Sequence, residues 1–287
     1  MIGEEKNIYS YNFFIKKSNT LNRLKYKLPL SSMKKFSTIK QKLYIKESVD
    51  FKRPYSLDKT KLNKQKEELG EVYKILNKIT DKTYDRLSTE ILELIQNISD
   101  EKHQTEICEK IFMIISTNSF YSELYTKLYS EMIKIHNSFH KIFITQYNSY
   151  KLSFNNIEYI SPNEDYDKYC VYIKQIDNIK SITTFLINCL KYSICEPNEL
   201  IDLLLMFQKK MIDQLEIKEK IYENENYINN IYLIIKEQID ILSFHDKWQY
   251  IIRNNNYLHE AQGMGKNNKI KFKIMDINDL ITKHENN

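Results

Sequence analysis

From about residue 68 the apolar positions recur at intervals of three and four, the period of an amphipathic helix. Leu69, Val72, Tyr73, Leu76 and Ile79 form a first stripe. Thr80-Asp81 then reads as an N-cap, and Tyr84, Leu87, Ile91, Leu94, Ile95 and Ile98 form a second. Two helices joined by a few residues make an antiparallel hairpin, and neither buries its stripe alone. The pattern repeats. Ile107, Ile111, Phe112, Ile114 and Ile115 precede the break Thr117-Asn118-Ser119, and Leu124, Leu128, Met132 and Ile135 follow it. Phe139, Ile142, Phe143 and Tyr147 open a third pair, interrupted over 153–168 by a polar stretch with Pro162 that reads as a loop insertion. Ile173, Ile176, Ile179, Ile182, Leu186 and Leu190 resume the period, and later stripes run through 200–215, 228–242 and 244–258. Residues 270–275 alternate as a strand does, but Ile274, Ile277, Leu280 and Ile281 fit a last helix better. The prediction is an all-α solenoid of hairpins of about 40 residues, repeated roughly five times, at the period of HEAT-type repeats. Each repeat packs on its neighbours, and the stack presents an extended surface suited to a partner-binding scaffold.

Composition narrows this further. The 287 residues include four Gly, four Pro and one alanine, Ala261. Doubly wound nucleotide folds need glycine-rich phosphate turns and sandwiches need many Gly/Pro turns, so both are disfavoured. No apolar run of about 18 residues occurs, which predicts no membrane span. The start, with Glu4 and Glu5, lacks the apolar region of a secretory signal. The wealth of Lys, Asn, Ile and Tyr matches translation of an AT-rich genome, a mutational bias without chemical meaning.

Charge is unevenly spread. The net +5 combines −1 over residues 1–15, +13 over 16–66 and −7 over 67–287. A basic arm thus precedes an acidic body. Such an arm is either a solvated tail or a phosphate-neutralising segment, and Tyr26, Phe36, Tyr44, Phe51 and Tyr55 within it suit stacking on unpaired bases. Cys108, Cys170, Cys189 and Cys195 contain no C-x-x-C pair, which disfavours structural zinc and fits a reducing compartment. His136 and His140 share a helix face without the carboxylate company of a metal site, so surface or packing roles are expected. No phosphate loop, dinucleotide fingerprint or nucleophile elbow is present; Gly263 and Gly265 are too sparse for one. A non-catalytic protein without cofactor or metal is expected.

Several stretches resemble, in order, the middle domain of eukaryotic translation initiation factor 4 gamma. Lys74 through Leu87, with Leu76-Asn77-Lys78-Ile79-Thr80, resembles its opening Leu-Asn-Lys-Leu-Thr-Pro-x-x-Phe. Ile111-Phe112 and Phe120 through Leu128, Phe139-His140-Lys141-Ile142, Asn178-Ile179-Lys180 and Lys269 through Ile277 are similar to later family stretches. The likeness spans about 68–282. It departs where Asp81 replaces Pro, Tyr84 replaces Phe, and Ser181 through Leu186 lacks the family's glycine.

Upstream, Tyr9-Ser10-Tyr11-Asn12-Phe13-Phe14-Ile15 resembles the family motif for a cap-binding protein, Tyr-x-x-x-x-Leu-Φ, with Phe14 for Leu and Ile15 for Φ. A short helix forming on binding would anchor Tyr9, Phe13, Phe14 and Ile15 in an apolar groove; the other reading docks this aromatic patch on the solenoid itself. The organisation expected is a linear motif over 1–20, a mostly disordered basic RNA-binding linker over 21–66, and the middle domain over 67–282. The resemblance implies a cytoplasmic scaffold, or one in a viral factory if virus-encoded, that bridges a cap-binding protein to a DEAD-box RNA helicase while holding mRNA. It implies helicase contacts at Leu76, Ile79, Tyr84 and Phe272 and at an acidic residue opening the fourth repeat, Glu196 or Glu199. For Leu76, Ile79 and Tyr84 the competing reading is core packing. RNA falls to Arg23, Lys25, Lys27, Lys34 and Lys35. The main alternative is a related solenoid adaptor in mRNA decay, splicing or translational repression; a subunit of an unrelated complex is the other.

Overall fold

In the computed structural model, which describes residues 59–98, 101–154 and 157–286, all regular structure is helical. The chain separates into two units, Met1–Asp58 and Lys59–Asn287. The expected cap-binding motif (Tyr9, Phe13, Phe14, Ile15), the arm lysines and arginine expected to hold RNA, and the expectation of disorder lie outside the described residues. Ten α-helices follow one another: α1 (Lys59–Leu76), α2 (Tyr84–Gln96), α3 (Glu101–Thr117), α4 (Ser122–Ile135), α5 (Asn137–Ser153), α6 (Tyr166–Lys191), α7 (Pro197–Asp213), α8 (Ile221–Leu242), α9 (Trp248–Glu260) and α10 (Asn268–Glu285). Helix α1 begins eight residues before the expected boundary at 67, so the end of the basic stretch belongs to it. The strand-like 270–275 is helical, as its apolar spacing favoured.

The stripes find their partners in two ranks. Helices α2, α4, α6, α8 and α10 form one rank, each touching the next, and α1–α3–α5 and α7–α9 line the other. Thr183 meets Asn230 and the Ile187 carbonyl meets Gln238, so α6 and α8 run parallel. Asn198–His245 and Asp202–Lys247 set the same parallel register between α7 and α9. The regularity starts only there. Ser122 meets Asn188 while Tyr129 meets Phe185, so α4 and α6 pass in opposite senses. Helix α5 packs mainly on α3 and α4 rather than pairing with α6, from which the predicted insertion separates it. That insertion is held by Tyr159, whose ring lies 3.5 Å, centroid to centroid, from that of Tyr222 at the start of α8.

Local chemistry explains the ends. Asp165 and Asn267 cap α6 and α10 by accepting the amides of Lys168 and Ile270. Pro197 opens α7, where a missing amide proton costs nothing. The start of α2 differs from expectation: Thr83, not Thr80-Asp81, is its N-cap, and the Thr83 hydroxyl bonds within the turn, accepting the Thr80 amide at 2.9 Å and donating to the Lys78 carbonyl at 2.8 Å. Helix α6 ends in a Schellman turn, with the Ile194 amide on the Cys189 carbonyl and the Ser193 amide on that of Leu190. Ser193 takes the left-handed position, φ 54°, usually given to glycine. The core is one continuous apolar body rich in aromatic edges: Phe112, Tyr129, Phe139 and Phe185 at one end, and Tyr150, Phe154, Phe207 and Tyr227 at the other.

Candidate functional site

The first hairpin turn is locked from within. Leu76 and Ile79 are 0% and 1% exposed, and the Tyr125 hydroxyl donates to the Leu76 carbonyl at 2.9 Å. Tyr84 is 5% exposed; its hydroxyl donates to Glu131 Oε1 at 3.1 Å, and the Lys127 ammonium stands 4.3 Å over its ring. Burial, then the Glu131 carboxylate, raise the phenol pKa. The structure therefore corrects the expectation of partner contacts at Leu76 and Ile79. Both are core residues that fix the turn, with no surface to offer, and Tyr84 shows only a sliver. Their stripe positions serve the hairpin before any partner.

The neighbouring turns form a continuous edge. The α3–α4 turn carries Phe120, 85% exposed, with its ring edge-on to Tyr121. Beside it, Glu123 accepts Lys191 Nζ at 2.5 Å and the Tyr192 hydroxyl at 3.4 Å, tying the start of α4 to the end of α6. The hydrogen bond from Lys191 holds the Glu123 carboxyl below its ordinary pKa. Helix α7 then opens with the Glu196 amide on Glu199 Oε2 at 3.0 Å, and the Glu199 carbonyl accepts the Tyr147 hydroxyl at 2.8 Å. Glu199 is thus half-buried and occupied in starting its helix, and the more exposed Glu196 completes the capping box with it. Asn198–His245 (2.8 Å) and Asp202–Lys247 (3.0 Å) fasten the α8–α9 turn to α7. That turn presents Phe244, also 85% exposed. Two open phenylalanines thus bracket this edge; Glu123 and Asp202 are paired with Lys191 and Lys247, and Glu196 and Asp246 are its further exposed carboxylates. Exposed apolar rings of this kind suit the surface of a protein partner.

Phe272 stands elsewhere. It is 64% exposed on α10, where it lines a cavity of about 350 Å³ with Glu225, Ile228, Asn229, Lys269 and Asp276. The start of α10 is bound to the α7–α8 connection, at the end of α7 away from the edge, through the Gly265 amide on the Leu215 carbonyl. The predicted set is therefore distributed: Leu76, Ile79 and most of Tyr84 in the core, Glu199 on the edge, Phe272 on the face of α8 and α10.

The sequence reading gives Phe120 and Phe244 no contact role, and spacing carries no signal for one: each stands four residues before an apolar residue of the next helix, Leu124 and Trp248, as a buried stripe residue would. The spacing predicts that Phe244 opens the stripe 244–258, but the helix begins only at Trp248. The two glycines too sparse for a phosphate loop have a packing role: a Cβ on Gly263 or Gly265 would lie 2.3 Å from the Leu215 carbonyl oxygen or 2.5 Å from that of Gln214. Between them and α10, Lys266 is 7% exposed and donates to the carbonyls of Leu258, His259 and Ala261, closing the end of α9. Cys108, Cys189 and Cys195 are buried free thiols, and burial pushes those of Cys108 and Cys195 up to about 12. Among the described residues no group of His, Cys, Asp or Glu is arranged to hold a metal ion, and no helix is long and apolar enough to cross a membrane. No known protein-family model matches the chain, and no curated protein matches it either.

Proposed function

We propose that the protein is a HEAT-type scaffold of translation initiation. It binds a DEAD-box RNA helicase through the edge of helix turns, a cap-binding protein through Tyr9 to Ile15, and mRNA through the lysines and arginine of its basic arm, in the cytoplasm. The ordered sequence likeness to the initiation factor 4 gamma middle domain supports the class. The observation that carries the docking site is the pair of exposed phenylalanines, Phe120 and Phe244, on one edge of helix turns. Chemistry would belong to the helicase. A scaffold changes the helicase's turnover only by binding its closed arrangement more tightly than its open one.

The test is calorimetric titration with the DEAD-box initiation helicase of the same source. A Leu76→Asp variant would place a charge in the core and report folding rather than docking. Phe120→Asp combined with Phe244→Asp alters only exposed rings, and its fold is checked by circular dichroism. Binding by the parent that weakens at least tenfold in this variant supports the reading. Binding unchanged in the variant removes the edge from the proposal. No binding by the parent transfers the proposal to an adaptor in decay, splicing or repression.

A further inference from the structure

A second surface stands apart from that edge. Helix α8 lies between α6 and α10, and the three enclose a cavity of about 340 Å³. Ile176 and Lys180 of α6, Asn226, Asn229 and Leu233 of α8, and Lys273 of α10 line it, and no carboxylate does among the described residues. Lys180 makes no ion pair and Asn229 no side-chain hydrogen bond among the described residues, and both are exposed. Lys273 is half-buried, 3.9 Å over the Tyr232 ring and 3.0 Å from Asp276 Oδ2.

Behind the floor runs a directional chain of hydrogen bonds. Asn230 Nδ2 donates to the Asn226 carbonyl at 2.8 Å and to Asn226 Oδ1 at 3.1 Å, which orients the Asn230 amide. Asn230 Oδ1 then takes the Thr183 hydroxyl proton at 2.6 Å, so the Tyr150 hydroxyl, 2.6 Å from Thr183 Oγ1, donates to it. Donors thus line up Tyr150, Thr183, Asn230, Asn226, each bond polarising the next. The last donor, Asn226 Nδ2, is buried and has no partner among the described residues, on a side chain 5% exposed. The cavity therefore offers the ammonium of Lys180 and the amide of Asn229, with Lys273 already shared with Asp276, in front of an amide chain that ends on the buried Asn226 Nδ2. Its preferred guest carries an oxyanion.

We propose that this cavity receives the carboxylate of an acidic side chain from a partner protein, held as an extended segment along α8. The neighbouring cavity shares Asn229 and Lys273 and adds Ile228 and Phe272, a slot for an apolar side chain of the same segment. Asn229, on the floor of both, offers an amide donor and acceptor to one peptide unit. A nucleic-acid strand fits less well. Glu225 and Asp276 flank the second cavity and repel a run of phosphates, and the Tyr232 ring is already covered by Lys273.

The test is hydrogen–deuterium exchange of the full chain with an acetylated octapeptide repeating Asp-Ser-Leu-Ser, which when extended presents Asp and Leu in turn on one face. Controls are the same peptide with Asn for Asp, and a uridine octamer. Saturable protection is expected over 225–234 and 176–181, at least tenfold weaker for the Asn peptide and for Lys180→Glu. Lys236→Glu, on α8 but outside the cavity, should match the parent. Peptide bound elsewhere, on the basic arm for instance, protects neither stretch. Absence of that protection, protection unaffected by Lys180→Glu, or stronger protection of the same stretches by the uridine octamer each overturns the proposal.

Discussion

Gly265→Ala tests whether the α9–α10 connection is held by close backbone approach. The added Cβ would lie 2.5 Å from the Gln214 carbonyl oxygen, 2.9 Å from that of Leu215 and 3.0 Å from that of Ile217. All three are backbone atoms, so no side chain can swing aside. The connection must retreat, straining the Gly265 amide bond to the Leu215 carbonyl (2.7 Å) and the Asn224 Nδ2 bond to the Gly265 carbonyl (3.0 Å). Overpacking of this kind costs about 1–3 kcal/mol, and each weakened hydrogen bond adds about 1 kcal/mol. The expected loss is about 3–5 kcal/mol, or roughly 6–20 °C in melting temperature for a unit of this size. No described glycine has positive φ, so the effect is contact rather than backbone strain. Gly70 is the internal control. It sits within α1 with nothing within 4 Å of a Cβ, and Gly70→Ala should stabilise by about 0.5–1 kcal/mol. Far-UV circular dichroism melts of both variants decide the matter. A Gly265→Ala protein that melts with the parent refutes the reasoning.

Three other expectations follow from the same geometry. Leu76→Ala, at 0% exposure, should cost about 2–5 kcal/mol in urea unfolding, whereas Phe244→Ala, at 85%, should stay within about 0.5 kcal/mol; equal costs would mean the two are misplaced. Ser193→Gly should stabilise by about 0.5–1 kcal/mol, because glycine takes the left-handed position after α6 without a Cβ penalty; a loss on melting would contradict the Schellman assignment. Burial raises the thiols of Cys108 and Cys195 from 9.0, and the phenols of Tyr172 and Tyr227 from 10.0, each to about 12. Raised acid pKa values mean the unfolded chain gives up these protons first, so their contribution is complete below about pH 9 and falls away between about 9 and 12. Urea midpoints measured across that window should decline; a flat profile would place these groups in water.

Much of the architecture is legible in the stripes. The helices from α2 onward fall where apolar residues recur at three and four, and the insertion over 153–168 shows in its polar run and Pro162. Errors cluster at ends. Thr80-Asp81 read as the start of α2 because both residues are good caps, yet Thr83 takes the position and bonds back into the turn. Phe244 was counted into a stripe because it is apolar, although spacing alone cannot say whether a ring beside a helix start turns in or out. The candidate site was less legible still. Leu76, Ile79 and Tyr84 build the first hairpin, and the same positions would be apolar with or without a partner.

The amino-acid sequence by itself determined that the body is helical, roughly where most helices run, and that a basic stretch leads into an acidic body. These follow from local periodicity, turn chemistry and charge, which need no knowledge of neighbours. Only the tertiary structure decided which apolar residues are spent in the core and which stand open. Exposure depends on what packs over a residue, and the helices that cover Leu76 but leave Phe120, Phe244 and Phe272 bare are set by contacts across the stack. The same holds for the cavity on α8. Lys180, Asn229 and Lys273 are nearly a hundred residues apart from first to last, and only the parallel register of α6 and α8, with α10 packed along α8, brings their donors to one wall.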